Sequence, residues 1–126
     1  MGLEIDFSGL TSRLDNMAKK MQTATLDKAL DQGKKPLIEA MERNVLVDTA
    51  ELKGNLGELK KEGSGINRKC IIGIDSEDRN IIERGYYAEY GTERQAASHW
   101  MKKSFDEAKG QAKDNIIKTL KEELDL

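Results

Sequence analysis

Few side chains in this sequence are equipped for covalent chemistry. His99 is the only histidine and Cys70 the only cysteine. A side-chain nucleophile needs a base within hydrogen-bonding reach, so the formal pairs are Cys70 or Ser98 with His99. Cys70 lies in Lys69-Cys70-Ile71-Ile72-Gly73-Ile74, where the isoleucines mark a buried strand and a thiol serves as inert packing. Ser98 directly precedes His99, and a helix cap accounts for it. The carboxylates Glu89, Glu93 and Asp75 are candidates for an acid pair, but nothing in their spacing sets a separation. With 23 acidic residues in the chain, chance neighbours are common. One histidine and one cysteine do not complete a tetrahedral metal site without carboxylate help. Gly63-Ser64-Gly65 lacks the lysine and the following helix of a phosphate loop and reads as a hairpin turn. No catalytic residue, cofactor site or metal site is therefore expected.

Binding chemistry has more material. Lys60, Lys61, Arg68 and Lys69 form a basic cluster around that turn, a candidate interaction hairpin. Phosphate recognition wants a clustered basic face. Lysines that keep a sheet edge from pairing with other chains are the commoner meaning of such a cluster. The net charge of −2, with both signs mixed along the chain, also weighs against nucleic acid. A small nucleic-acid-binding regulator remains the alternative reading, and a small hydrolase using His99 the next.

The second concentration of chemistry is Tyr86-Tyr87-Ala88-Glu89-Tyr90-Gly91-Thr92. Aromatics make up only 5% of the chain, yet all three tyrosines fall here, with Trp100 and Phe105 close behind. Large aromatic side chains dominate packing energy, so core packing is the default for the tyrosines, with surface anchors for a partner the alternative. Gly91-Thr92 reads as a turn and a cap, with Gly91 supplying a backbone angle other residues resist.

These residues need elements to hold them. Met1 to Ser8 reads as a loose lead-in, with Ser8 as a cap. Leu10, Leu14, Met17 and Met21 mark one face of a helix. Leu26, Leu30, Leu37, Met41 and Val45 continue on a helical period, with Thr25 as a second cap. Pro36 interrupts the backbone bonding there, but the apolar phase survives it, which predicts one kinked helix. Asp48 or Thr49 caps a short helix over Ala50 to Leu56. Leu59 to Glu62 is a charged edge strand, and Lys69 to Asp75 is the strongest strand signal, the two forming a β-hairpin. Ile81 to Glu83 is a strand or a helical turn, and Tyr86 to Glu89 a short helix. Ser98 caps a long final helix with Met101, Phe105, Ala108, Ala112, Ile116 and Leu120 on its apolar stripe, fraying over 121–126.

At 126 residues, with 37% hydrophobic and 35% charged side chains, the chain is one domain, 1–126, with flexible ends at 1–8 and 122–126. A single cysteine excludes an intrachain disulfide and suits a reducing cytoplasm. The N-terminus lacks the basic lead and apolar run of a secretory signal, and no segment approaches membrane-spanning length, so no membrane partner is expected.

Two segments and a third beginning resemble a known pattern. Asp48-Thr49-Ala50-Glu51-Leu52-Lys53-Gly54-Asn55-Leu56 is similar to a "D-T-G-x-L-(R/K)-x-S-(I/L)" element. Tyr87-Ala88-Glu89-Tyr90-Gly91-Thr92 is similar to "Y-A-x-(aromatic)-x-E-(F/Y)-G-T", with a shorter spacer before Glu89. Trp100-Met101-Lys102 stands where "P-F-(L/M)-(R/K)" opens the last helix. Their order resembles the small tail-completion, or head–tail joining, proteins of long-tailed bacteriophages. Ala50, Asn55 and His99 depart from the glycine, serine and proline of the pattern. Asp48, Thr49, Leu52, Lys53, Leu56, Tyr87, Glu89, Tyr90, Gly91, Thr92 and Trp100 become the structural motif residues.

The resemblance implies an α+β fold with a small antiparallel sheet flanked by helices; joined to the periods above, the expectation is a small antiparallel sheet with a β-hairpin, flanked by a kinked N-terminal helix and a long C-terminal helix. It implies a non-enzymatic virion protein without cofactors, assembled in the host cytoplasm into a ring, typically sixfold, at the neck. Its partners would be head-completion or connector proteins and tail-tube proteins, and the free chain would be a monomer. Within this pattern Glu89, the one charge among the tyrosines, is expected to pair with Lys53 and tie the two motifs together.

Overall fold

The computed structural model describes residues 2–7, 22–45 and 53–123. The expected helix over Leu10 to Met21, the caps at Ser8, Asp48 and Thr49, and Leu52 lie outside the described residues. Among the described residues the architecture is α+β, with three α-helices and a three-stranded antiparallel sheet.

Strand β1, Leu3–Ile5, is the first departure from the sequence reading. The lead-in pairs antiparallel with the central strand of the sheet, Leu3 opposite Ile72 and Ile5 opposite Cys70. Leu3-Glu4-Ile5-Asp6-Phe7 does alternate with period two, and Ile5 and Phe7 are buried. Three paired residues gave too short a run to stand out.

Helix α1, Thr23–Asn44, runs unbroken through Pro36. Its N-cap is Gln22 without a side-chain bond, so Thr25 lies inside the helix and caps nothing. Leu26, Ala29, Leu30, Gly33, Leu37, Ala40 and Met41 form its buried face. Proline has no N–H, which orphans the carbonyl of Gln32 four residues earlier. Asn115 of the last helix supplies the missing donor, its Nδ2 reaching the Gln32 carbonyl at 3.1 Å. Gly33 sits one position further on. A Cβ there would stand 2.7 Å from Cγ1 of Ile116, so the glycine lets the two helices approach closely.

Strands β2, Leu56–Glu62, and β3, Lys69–Ile74, form the hairpin, joined through a 3₁₀ turn at Gly65–Asn67. Sheet order is β1-β3-β2, with a bulge between Glu58 and Lys60. β2 begins earlier than the charge pattern indicated. Leu56 opens the strand opposite Ile74 instead of closing a helix. Cys70, Ile72 and Ile74 of β3 are buried.

Helix α2, Arg79–Tyr90, replaces both the ambiguous Ile81–Glu83 segment and the single turn expected at Tyr86–Glu89. The Asp78 side chain caps it by accepting from the Asn80 N–H at 2.9 Å. Helix α3, Trp100–Glu123, packs along α1, burying Trp100, Met101, Ser104, Ala108, Ala112, Ile116, Thr119 and Leu120. Phe105, expected on that stripe, is exposed, and Trp100 and Ser104 take the buried positions instead. The helix continues three residues into the 121–126 stretch expected to fray. Among the described residues no helix is long and apolar enough to cross a membrane.

Candidate functional site

The motif around Glu89 lies where α2 ends and α3 begins, and it solves a problem common to both helix ends. The last carbonyls of a helix and its first N–H groups have no intrahelical partners. Here the two ends satisfy each other. The Ala88 carbonyl accepts from the Ser98 N–H at 2.7 Å and from the Ser98 hydroxyl at 2.8 Å. The Glu89 carbonyl accepts from the His99 N–H. In return the Glu89 carboxylate accepts from the N–H groups of Met101, at 2.7 Å, and Lys102, at 3.2 Å. A negative group at a helix N-terminus also meets the positive end of the helix dipole. Trp100, fully buried, donates its indole N–H to the Gly85 carbonyl at 3.1 Å.

The expected tie from Glu89 to Lys53 does not form. Glu89 is buried, its two oxygens serve α3, and Lys53 is exposed three residues before the hairpin's first strand. A buried carboxylate needs partners, and backbone N–H groups are nearer and stiffer than a lysine. Ser98 is likewise not the side-chain cap of α3, since its hydroxyl points back to α2. His99 takes a positive φ of 54°, and its carbonyl receives the first helical bond of α3 from Lys103. Gly91 has φ 79°, as its sequence position required, and a Cβ there would meet the Ala97 nitrogen at 2.8 Å. Thr92 pairs with Gln95 in the turn, its hydroxyl accepting from the Arg94 N–H.

The tyrosines are not core residues. Tyr86, Tyr87 and Tyr90 are 50%, 44% and 57% exposed. α2 buries Ile81, Gly85, Ala88 and Glu89, and the tyrosines fall on the opposite side. Tyr86 and Tyr90 lie 4.8 Å apart between ring centres, and Tyr87 meets Tyr86 edge-on at 6.1 Å. Ile82, one turn before Tyr86, extends the exposed stripe at 41%. The spacing 82, 86, 90 was the signal for this face. Beside it a cleft of about 210 Å³ is lined by Leu3, Tyr90, Met101, Lys102 and Phe105 among others.

The basic hairpin is neutralised within the chain. Lys61 binds Asp31 at 2.6 Å and Glu58 at 2.7 Å, and Lys34 joins both carboxylates. Arg68 makes a two-pronged contact with Asp27 from α1. Lys69 contacts Glu4 and Glu62, and Lys60 contacts Glu62. The Lys61 hydrogen bond, opposed by burial, brings the Glu58 carboxyl down to about 2. Burial, reinforced by a hydrogen bond to Glu58, pushes the Cys70 thiol up to about 12. Neither formal nucleophile is directed at His99: the Cys70 thiol donates to Glu58 and the Ser98 hydroxyl to Ala88. Among the described residues no group of histidines, cysteines and carboxylates is arranged to hold a metal.

The structure therefore brings together Glu89, Gly91, Thr92 and Trp100 and leaves Tyr87 and Tyr90 on the surface beside them, while Lys53 is exposed just before the hairpin and Leu56 opens its first strand opposite Ile74. Compared with known proteins, the chain matches no family model, no curated protein and no solved structure.

Proposed function

We propose that this chain is a virion structural protein of a phage or prophage, a head–tail joining or tail-completion ring subunit at the neck that works by protein–protein assembly without catalysis. The observation that carries the reading is the coherence of the second motif. Tyr87-Ala88-Glu89-Tyr90-Gly91-Thr92 and Trp100-Met101-Lys102, the segments that resemble the joining proteins, form one hydrogen-bonded junction between α2 and α3. Residues that share a pattern are expected to act together, and here Ala88, Glu89, Trp100, Met101 and Lys102 have partners across the junction and Gly91 a required angle. The α+β architecture agrees with what the resemblance implies.

Two further features favour assembly over chemistry. Polar partners of the potential nucleophiles are structural ones. An exposed aromatic stripe is the kind of surface that anchors protein contacts, since tyrosine combines a large apolar body with a polar tip. The hairpin cations, each engaged by a carboxylate, give no support to nucleic-acid recognition.

The test is complementation in an extract that holds separated heads and tails. Purified chain should restore joined particles in proportion to its concentration. Failure to restore any, with the added protein folded, would contradict the proposal. DNA binding with a steep salt dependence would favour the regulator instead.

A further inference from the structure

The exposed face of α2 carries both an apolar stripe and a charge gradient along it. Ile82, Tyr86 and Tyr90 lie four residues apart and so share one side of the helix. At the N-terminal end the preceding loop exposes Asp75, Glu77 and Asp78, while the exposed Arg79 of the first turn is paired with Glu83. At the C-terminal end the exposed cations are Arg94 in the turn and Lys102, which shares a cleft with Tyr90. Glu93 is exposed beside Arg94, so Lys102 leaves that end net positive, while Glu89 is buried with its carboxylate bound to the N–H groups that open α3.

From this we infer that the α2 face is a self-association surface, on which a second copy of this chain packs its own α2 antiparallel about Tyr86. Antiparallel packing about Tyr86 sets Ile82 of each copy opposite Tyr90 of the other. It brings each acidic end, at Glu77 and Asp78, alongside the other copy's Arg94. The same patch serves both chains, which is the requirement of a two-fold interface. A parallel pairing would instead set acid against acid and cation against cation.

Size limits the strength. Three half-exposed tyrosines and an isoleucine offer roughly 300–400 Å² per copy, against about 800 Å² per partner in a standard interface. The pairing is therefore reversible and appears only in concentrated protein. It concerns the free chain and stands independently of the neck reading.

Sedimentation equilibrium of the full chain should give a mass rising from one chain toward two between about 10 µM and 1 mM, without larger species. Tyr86→Cys places a thiol on the two-fold axis, and Tyr86 is exposed, so folding is preserved and checkable by circular dichroism. Under a mild thiol oxidant it should cross-link to itself and stop at the dimer. Arg79→Cys should not, because the two copies of that position lie about 20 Å apart. Cys70 is buried and stays out of the reaction. Arg94→Glu should weaken association several-fold, and adding Glu77→Arg in the same chain should restore it. A monomer at 1 mM, a ladder of larger species, or equal cross-linking from position 79 would overturn the antiparallel pairing.

Discussion

Among single residues, Glu89 decides how α2 meets α3. A carboxylate amid tyrosines invites an acid–base role or a lysine partner. Its actual task is to accept two backbone N–H groups that begin α3. Glu89→Ala strands both donors in a buried setting, and thermal or urea unfolding should register a loss of about 2–3 kcal/mol. Glu89→Gln keeps the shape but offers only one oxygen, so a loss of about 1–2 kcal/mol is expected. Lys53→Ala should change stability by less than about 0.5 kcal/mol, because no tie to Glu89 exists to be lost. A Lys53→Ala loss matching that of Glu89→Ala would restore the pairing that the structure replaces. Position alone could not separate these roles. The choice between a lysine and a helix end depends on where α3 returns, a long-range fact absent from local spacing.

At the scale of elements, the contact of α1 with α3 turns on a proline. Pro36 leaves the Gln32 carbonyl without its helical donor, and Asn115 compensates from the other helix. Asn115→Ala should therefore destabilise by about 1 kcal/mol in the native background. In a Pro36→Ala background, where residue 36 regains an N–H, the same change should cost less. A double-mutant cycle measures the difference, and strict additivity would show that the two residues are not coupled. Gly33→Ala should also cost about 1–3 kcal/mol, because its Cβ would press on Ile116. Much of this architecture was readable in advance. The isoleucines of β3, the glycine turn and the stripe on α3 carry their periods openly. Helix α1 kept its apolar phase through Pro36. β1 escaped notice because its three residues gain their order from β3, and Leu56 was assigned to a helix because its neighbour Leu52 stands four residues away. The tyrosines misled for a different reason. Aromatic content suggests burial, but α2 is anchored by Ile81, Gly85, Ala88 and Glu89 and turns its rings outward.

Across the whole molecule, ion pairs tie the hairpin to α1, from Lys61 to Asp31, Lys34 to Glu58 and Arg68 to Asp27. Asp31 and Glu58 are both held below their ordinary carboxyl values, burial opposing the shift and the hydrogen bonds to Lys61 and Lys34 outweighing it. The folded chain thus binds fewer protons than the unfolded chain in acid. Glu58 contributes its full stability above its ordinary value of 4.5, and that contribution is lost as pH falls toward about 2. Urea titrations at a series of pH values should show Glu58→Gln flattening the stability curve in that window. An unchanged slope would show that the network is not a clamp. The hairpin's cations engaged by carboxylates of the chain, the buried Cys70 thiol and the three outward-facing tyrosines are the features on which the proposal of assembly by protein contact rests. The most direct measurement is electron microscopy of particles assembled without this chain. The account predicts filled heads and complete tails lying unattached, with joining restored when the chain is supplied; normally joined particles in its absence would contradict it.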